Sequence, residues 1–248
     1  MAAMATVMPL LATQGLSRFF GGLKAVDHVD FSLSKGEVRA LIGPNGAGKT
    51  TLVSLICGRI PASSGRVFLE GRDISRLPAH KRVRAGIAYT FQITSIFANL
   101  SVLDNVALAA QRRLSDEQSS SHRSLEQNSR EALEQVGLAP YAQMRAGNLS
   151  YGHQRLVEIA MGLALKPRLL ILDEPTQGLS DGEIESFIAL IGKIGAATVL
   201  LIEHNMDVVM ALAHRITVMD QGHILAEGTP DEIRANGDVQ RAYLGSSS

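Results

Sequence analysis

The segment Gly43-Pro44-Asn45-Gly46-Ala47-Gly48-Lys49-Thr50 sets a glycine, four residues and then Gly-Lys-Thr. This is the phosphate-loop spacing. A polyphosphate needs positive potential at close range. Glycines let backbone N–H groups curl around the anion, and the start of a following helix adds its dipole. Lys49 is expected to reach the terminal phosphates. The Thr50 hydroxyl, beside Thr51, is expected to bind Mg²⁺. Further along, Leu169-Leu170-Ile171-Leu172 runs into Asp173-Glu174. Two carboxylates at the end of an apolar strand stand where open α/β sheets place their ligand chemistry. Asp173 is expected to hold Mg²⁺ through water, which Mg²⁺ releases reluctantly. Glu174 is the candidate general base for an attacking water. An isolated Asp-Glu is more simply a solvated turn, and only its pairing with the glycine loop makes it chemistry.

These groups need a frame. Apolar runs alternate with helical patterns, which predicts an α/β fold with a largely parallel sheet. Strands are expected over residues 10–16, 24–33, 37–42, 65–69, 87–90, 169–172, 197–202 and 215–219, and a helix from the glycine loop to about Cys57. The runs at 169–172 and 197–202 read as strands buried on both faces. Gln221-Gly222 predicts a hairpin turn. Thr229-Pro230-Asp231-Glu232 predicts a capped final helix. From about residue 92 to 165 the pattern is helical, with starts near Val102, Ser129 and His153. Its polar, serine-rich middle, 114–128, reads as an exposed loop.

Composition narrows the class. The chain has 248 residues, 46% apolar and 19% charged, enough for a normal folded core. Its 24 basic and 24 acidic residues cancel, so the basic excess usual in a nucleic-acid binder is missing. The lone cysteine, Cys57, rules out an internal disulfide and reads as a small buried hydrophobe. No apolar run approaches the roughly 20 residues of a membrane span. Residues 1–11 read as a frayed leader without a secretion signal, and 245–248 as an unstructured tail.

The segment Leu149-Ser150-Tyr151-Gly152-His153-Gln154 resembles the Leu-Ser-Gly-Gly-Gln signature of ABC ATPases, and the likeness then extends over nearly the whole chain. It implies a P-loop NTPase core with a mostly parallel sheet, an antiparallel β part and an inserted α-helical subdomain, divided as core 9–91 and 166–245 and helical part about 92–165. The resemblance casts Phe20 as the aromatic that stacks on adenine. Gln92 becomes the Mg²⁺- and partner-sensing glutamine, and His204 the switch histidine at the γ-phosphate. Residues 177–181 match the loop that crosses the dimer interface. Ser150, Gly152 and Gln154 would meet ATP held by another subunit. Ser150 also suits this as a helix cap, since a helix start receives anions. This sequence departs from the pattern at Tyr151, where a glycine is usual, at His153 before Gln154, and at Ser180, where aspartate is common.

One branch shares residues 20–26, Thr90-Phe91-Gln92, Tyr151-Gly152, residues 202–206 and the ending 238–245. It contains ATPases of branched-chain amino acid importers and of urea and amide importers, although its members often carry arginine where this chain has Tyr89. The likeness implies ATP and Mg²⁺ as cofactors and a second ABC ATPase subunit, the same or homologous, as partner. It also implies integral membrane permease subunits, a periplasmic solute-binding protein and a peripheral place on the cytoplasmic face of the inner membrane. Ile93, Ile96, Phe97 and Leu100 either line a groove for a permease helix or fill the helical lobe. A lipopolysaccharide-exporting ATPase group shares many of these features. A non-transport ABC ATPase is the alternative from another class.

Overall fold

The computed structural model describes residues 8–90, 95–114, 122–194 and 197–244. The leader 1–7, Gln92, Ile93 and the tail 245–248 lie outside them. Two sheets form the frame. The first is antiparallel: β1 (Leu11–Phe20) is flanked by β2 (Leu23–Val29) and β5 (Ser64–Leu69), with the two-residue strands β3 (Ser32–Leu33) and β6 (Arg72–Asp73) on β1 and β5. The second runs in the order β11 (His223–Gly228), β10 (Arg215–Asp220), β4 (Val38–Ile42), β9 (Thr198–Ile202), β8 (Leu169–Asp173) and β7 (Ile87–Thr90). All its pairings are parallel except β10–β11, which is the hairpin expected at Gln221-Gly222.

Strand alternation sorts the core. Leu169 and Ile171 of β8, with Leu200 and Ile202 of β9, pack toward the antiparallel sheet and α1 (Lys49–Ile56). Leu170 and Leu172, with Val199 and Leu201, pack toward the helices α3 (Val102–Leu114), α4 (His122–Gln135), α5 (Tyr151–Ala164) and α6 (Asp181–Lys193). Both faces of β8 and β9 are therefore buried, which explains their unbroken apolar runs. Cys57 is buried beside α1, and burial pushes its thiol up to about 12, so it is inert packing.

The expected single strand at 24–33 is corrected to two. β1 is long enough to pair with β2 along its second half and with β3 at its start, and the chain breaks between them at Asp30 and Phe31. The expected loop at 114–128 is corrected in its second half. α4 begins at His122, well before Ser129, because Leu125, Ala132, Leu133 and Val136 lie on one helical face against the core. Side-chain pairs Arg130–Glu126 and Gln127–Glu131 support its polar face. Four helices had no expected counterpart: α2 (Ala79–Arg84), α6, α7 (Met206–Leu212) and α9 (Gly237–Leu244). The helix expected after the Thr229 cap is present as α8 (Pro230–Ala235), with a full capping box to Glu232, but it is not the final one, since α9 follows it.

Candidate functional site

The chemistry collects at the carboxyl ends of three neighbouring parallel strands, β4, β9 and β8. β4 delivers the glycine loop, β8 delivers Asp173-Glu174 and β9 delivers Glu203-His204. A cleft of about 580 Å³ lies over these ends, lined by residues that include Phe20, Asn45 through Thr51, Glu174 and His204.

The glycine loop is fixed by close approaches. Gly43 and Gly48 have φ of +148° and +102°. A Cβ on Gly43 would sit 2.1 Å from the Met219 carbonyl oxygen, and one on Gly48 2.3 Å from that of Ala25. No other residue type fits either place. α1 starts directly after Gly48, so its first N–H groups face the cleft. Lys49 is buried, and its Nζ donates to the Gly43 oxygen at 2.6 Å and the Pro44 oxygen at 3.0 Å. Burial pulls its ammonium below the ordinary lysine value, opposed by the charges of Glu174 and Asp173. Thr50 is exposed to the cleft.

Glu174 holds a left-handed backbone, φ +47°, supported by its N–H on the Ile202 oxygen at 2.9 Å. Such a conformation costs a side-chain-bearing residue about 1 kcal/mol or more. It aims the carboxylate at the cleft, where Oε1 lies 3.1 Å from His204 Nε2. Asp173 is 3% exposed and accepts the Tyr89 hydroxyl at 2.6 Å. Burial raises its carboxyl above the ordinary value, while the Tyr89 hydrogen bond acts against that rise. A threonine hydroxyl and a buried carboxylate are hard oxygen donors, few in number. They fit Mg²⁺, which keeps several waters, better than a cation that needs a full protein cage. Phe20 stands at the cleft rim, 45% exposed, with the Arg18 guanidinium 4.5 Å over its ring.

Ser150, Gly152 and Gln154 do not line this cleft. They form the start of α5. Ser150 caps it, its Oγ accepting the His153 N–H at 3.3 Å, and Gln154 Nε2 donates to the Leu149 oxygen at 3.0 Å. Gly152 leaves room for its neighbour, since a Cβ there would lie 2.1 Å from Glu183 Oε1 and displace that side chain. Tyr151 packs on Gly178 in the loop before α6, and Ser180 caps α6 in a reciprocal box with Glu183. Among the apolar candidates, Ile96 packs on the core, whereas Phe97 is 57% exposed and Leu100 is also exposed.

Several contributors were missed from sequence. Leu23, Lys24, Ala25 and Gln221 also line the cleft, brought there by two turns whose sequence neighbours carry no chemical signal. The Tyr89–Asp173 bond was equally unforeseen, although Tyr89 stands one residue before the end of β7 and Asp173 ends the adjacent β8. Glu203 showed a weak signal as a carboxylate closing the apolar run of β9.

The ABC transporter family pattern matches residues 26–177, more than half of the chain, and that of the branched-chain amino acid ATP-binding cassette transporter matches 223–247. BraF of Pseudomonas aeruginosa, a high-affinity branched-chain amino acid transport ATP-binding protein, is 40% identical over 250 residues, spanning 96% of this chain and 98% of its own. The lipopolysaccharide export system ATP-binding protein LptB of Escherichia coli strain K12 is 37% identical over 241 residues, with the same coverage. The ADP conformation of MJ1267, an ATP-binding cassette of an ABC transporter, superposes with a TM-score of 0.86 at 30% identity, covering 96% of this chain and 99% of that one. With a phosphate loop, the Glu174 carboxylate and a histidine converging on one cleft and Asp173 buried behind it, the chain belongs to the ABC transporter family as one of its ATP-hydrolysing cassettes.

Proposed function

We propose that this cassette powers a branched-chain amino acid importer, closing with a second cassette around two Mg-ATP. The 223–247 match supports the branch, and the resemblance to BraF supports the solute class. The observation that carries the hydrolytic reading is the Glu174–His204 pair, 3.1 Å apart and facing the Lys49 loop across one cleft.

In this reading residues 43–51 wrap the phosphates, with Lys49 on the terminal ones, and Phe20 packs against adenine. Thr50, Asp173 and Gln92 hold Mg²⁺, which when bound screens the phosphate charge. Glu174 orients and deprotonates the attacking water, and His204 holds the γ-phosphate and Glu174 in register. Ser150, Gly152 and Gln154 serve the ATP of the other subunit, because α5 begins away from this chain's own cleft. The chain works as one domain, core 9–91 and 166–245 with a helical part about 92–165. Phe97 and Leu100 on that part receive a helix of the membrane permease. Among the described residues no helix is long and apolar enough to cross a membrane, which fits a subunit held at the inner membrane's cytoplasmic face by its permeases. A periplasmic binding protein completes the importer.

Deleting the gene for this chain should abolish uptake of labelled leucine, and restoring the wild-type chain, but not Lys49→Ala, should recover it. Unchanged uptake together with lost lipopolysaccharide export would favour the LptB-like reading.

A further inference from the structure

We infer that Glu203 is a positioning residue for hydrolysis: its carboxylate fixes the turn that carries His204 and ties it to the loop that follows Glu174. The inference rests on the reading of Glu174 and His204 as the hydrolytic pair.

Glu203 closes β9 and is only 3% exposed. A carboxylate so deep is tolerated only where donors surround it. Four do. Oε1 accepts the Thr176 N–H at 3.0 Å and the Thr176 hydroxyl at 2.5 Å. Oε2 accepts the His204 N–H at 2.9 Å and the Asn205 N–H at 3.2 Å. The two oxygens therefore hold two different loops. Thr176 lies two residues past Glu174, and His204 is the next residue after Glu203. Asn205 in turn caps α7, its side chain accepting from Asp207 and Val208.

These bonds close a ring. Glu174 bonds through its backbone to Ile202, at the end of the same strand that bears Glu203. The loop from Glu174 reaches Thr176, Thr176 binds Glu203, Glu203 binds the His204 backbone, and His204 returns to Glu174 through its ring. The 3.1 Å separation of the reactive side chains is thus set at the backbone of both loops by one buried group, rather than by two partly exposed side chains alone. The left-handed backbone of Glu174 sits inside this ring, where a cross-tie can sustain it. A carboxylate has about four lone-pair sites, and four donors use them, so none is left to accept from an attacking water. Its work is orientation.

The test is Glu203→Gln in the purified full chain, beside Glu174→Gln. The carboxamide has the same shape but turns an N–H₂ toward one pair of donors, which releases one loop. The expected result is a kcat lower by about 10- to 100-fold, with the Kd for a fluorescent ATP analogue within about twofold of wild type. The His204 ring nitrogen resonances should also shift. An unchanged kcat, or a kcat and Kd that worsen together, overturns the inference. Turnover that survives in Glu174→Gln instead overturns the hydrolytic reading beneath it. If Glu203→Gln does not fold, Thr176→Val removes one of the four bonds. It should lower kcat several-fold at unchanged Kd, and a wild-type kcat there is equally contrary.

Discussion

At the carboxyl ends of β4, β8 and β9 the glycine loop, Glu174 and His204 converge on one cleft within a single chain. At the start of α5, Ser150, Gly152 and Gln154 are held by hydrogen bonds of their own turn, yet they do not line that cleft. The first region is positioned by buried strands whose registers leave little freedom. The second is positioned by caps and by close approach of the start of α5 to the loop before α6 at Tyr151–Gly178 and to α6 at Gly152–Glu183. The contrast is what the proposed function needs: one set of groups gathered over this chain's own cleft, and a second set held apart from it for the ATP of another subunit.

Substitutions should separate the two regions. The largest effect is expected from Glu174→Gln, which should lower steady-state hydrolysis by about 10³-fold or more while ATP binding persists. Retained turnover would remove the base from the inner region. Gly48→Ala should come next. Its Cβ meets the Ala25 carbonyl and its φ is left-handed, so nucleotide binding, read by equilibrium dialysis, should be lost in a chain that still folds. Gly46→Ala, where nothing lies within 4 Å but φ is +80°, should cost about 1 kcal/mol in backbone strain and bind more strongly than Gly48→Ala. Ser150→Ala tests the outer region. It should leave ATP binding by the single chain within about twofold, but lower hydrolysis about 100-fold, as loss of a charge-facing donor does. The missing cap should also cost about 1 kcal/mol in denaturant unfolding. Weakened binding by the single chain would place Ser150 in the inner region after all. The smallest effect belongs to Thr229→Ala at the start of α8, remote from both. It should cost about 1 kcal/mol of stability and leave hydrolysis unchanged.

The inner region was the more legible from sequence because each piece of it is local. A glycine spacing and an apolar run ending in Asp-Glu each declare themselves within a few residues, His204 follows from the resemblance, and a parallel sheet brings strand ends together. What could not be read is what joins them. The Tyr89–Asp173 and Thr176–Glu203 bonds depend on strand order, which no short motif encodes. α4 was taken in part for a loop because its polar face outweighs its narrow apolar stripe, and that stripe gains meaning only against α3 and α5. α6 was missed even though Ser180 and Glu183 form a capping box. Ser180 departs from the interface-loop pattern and caps α6, and the second role needs only Glu183 three residues on. Gln92 and Ile93 lie outside the described residues, so their roles rest on the resemblance alone.

The most direct test of the account is a crystal or cryo-EM structure of the Glu174→Gln chain with Mg-ATP. The account predicts two chains, each nucleotide held by residues 43–51 of one and capped by Ser150 of the partner subunit, with Glu203 still bridging Thr176 and His204. A nucleotide bound in the glycine loop of a lone chain with its own Ser150 closing over it, or lodged away from that loop, would contradict it.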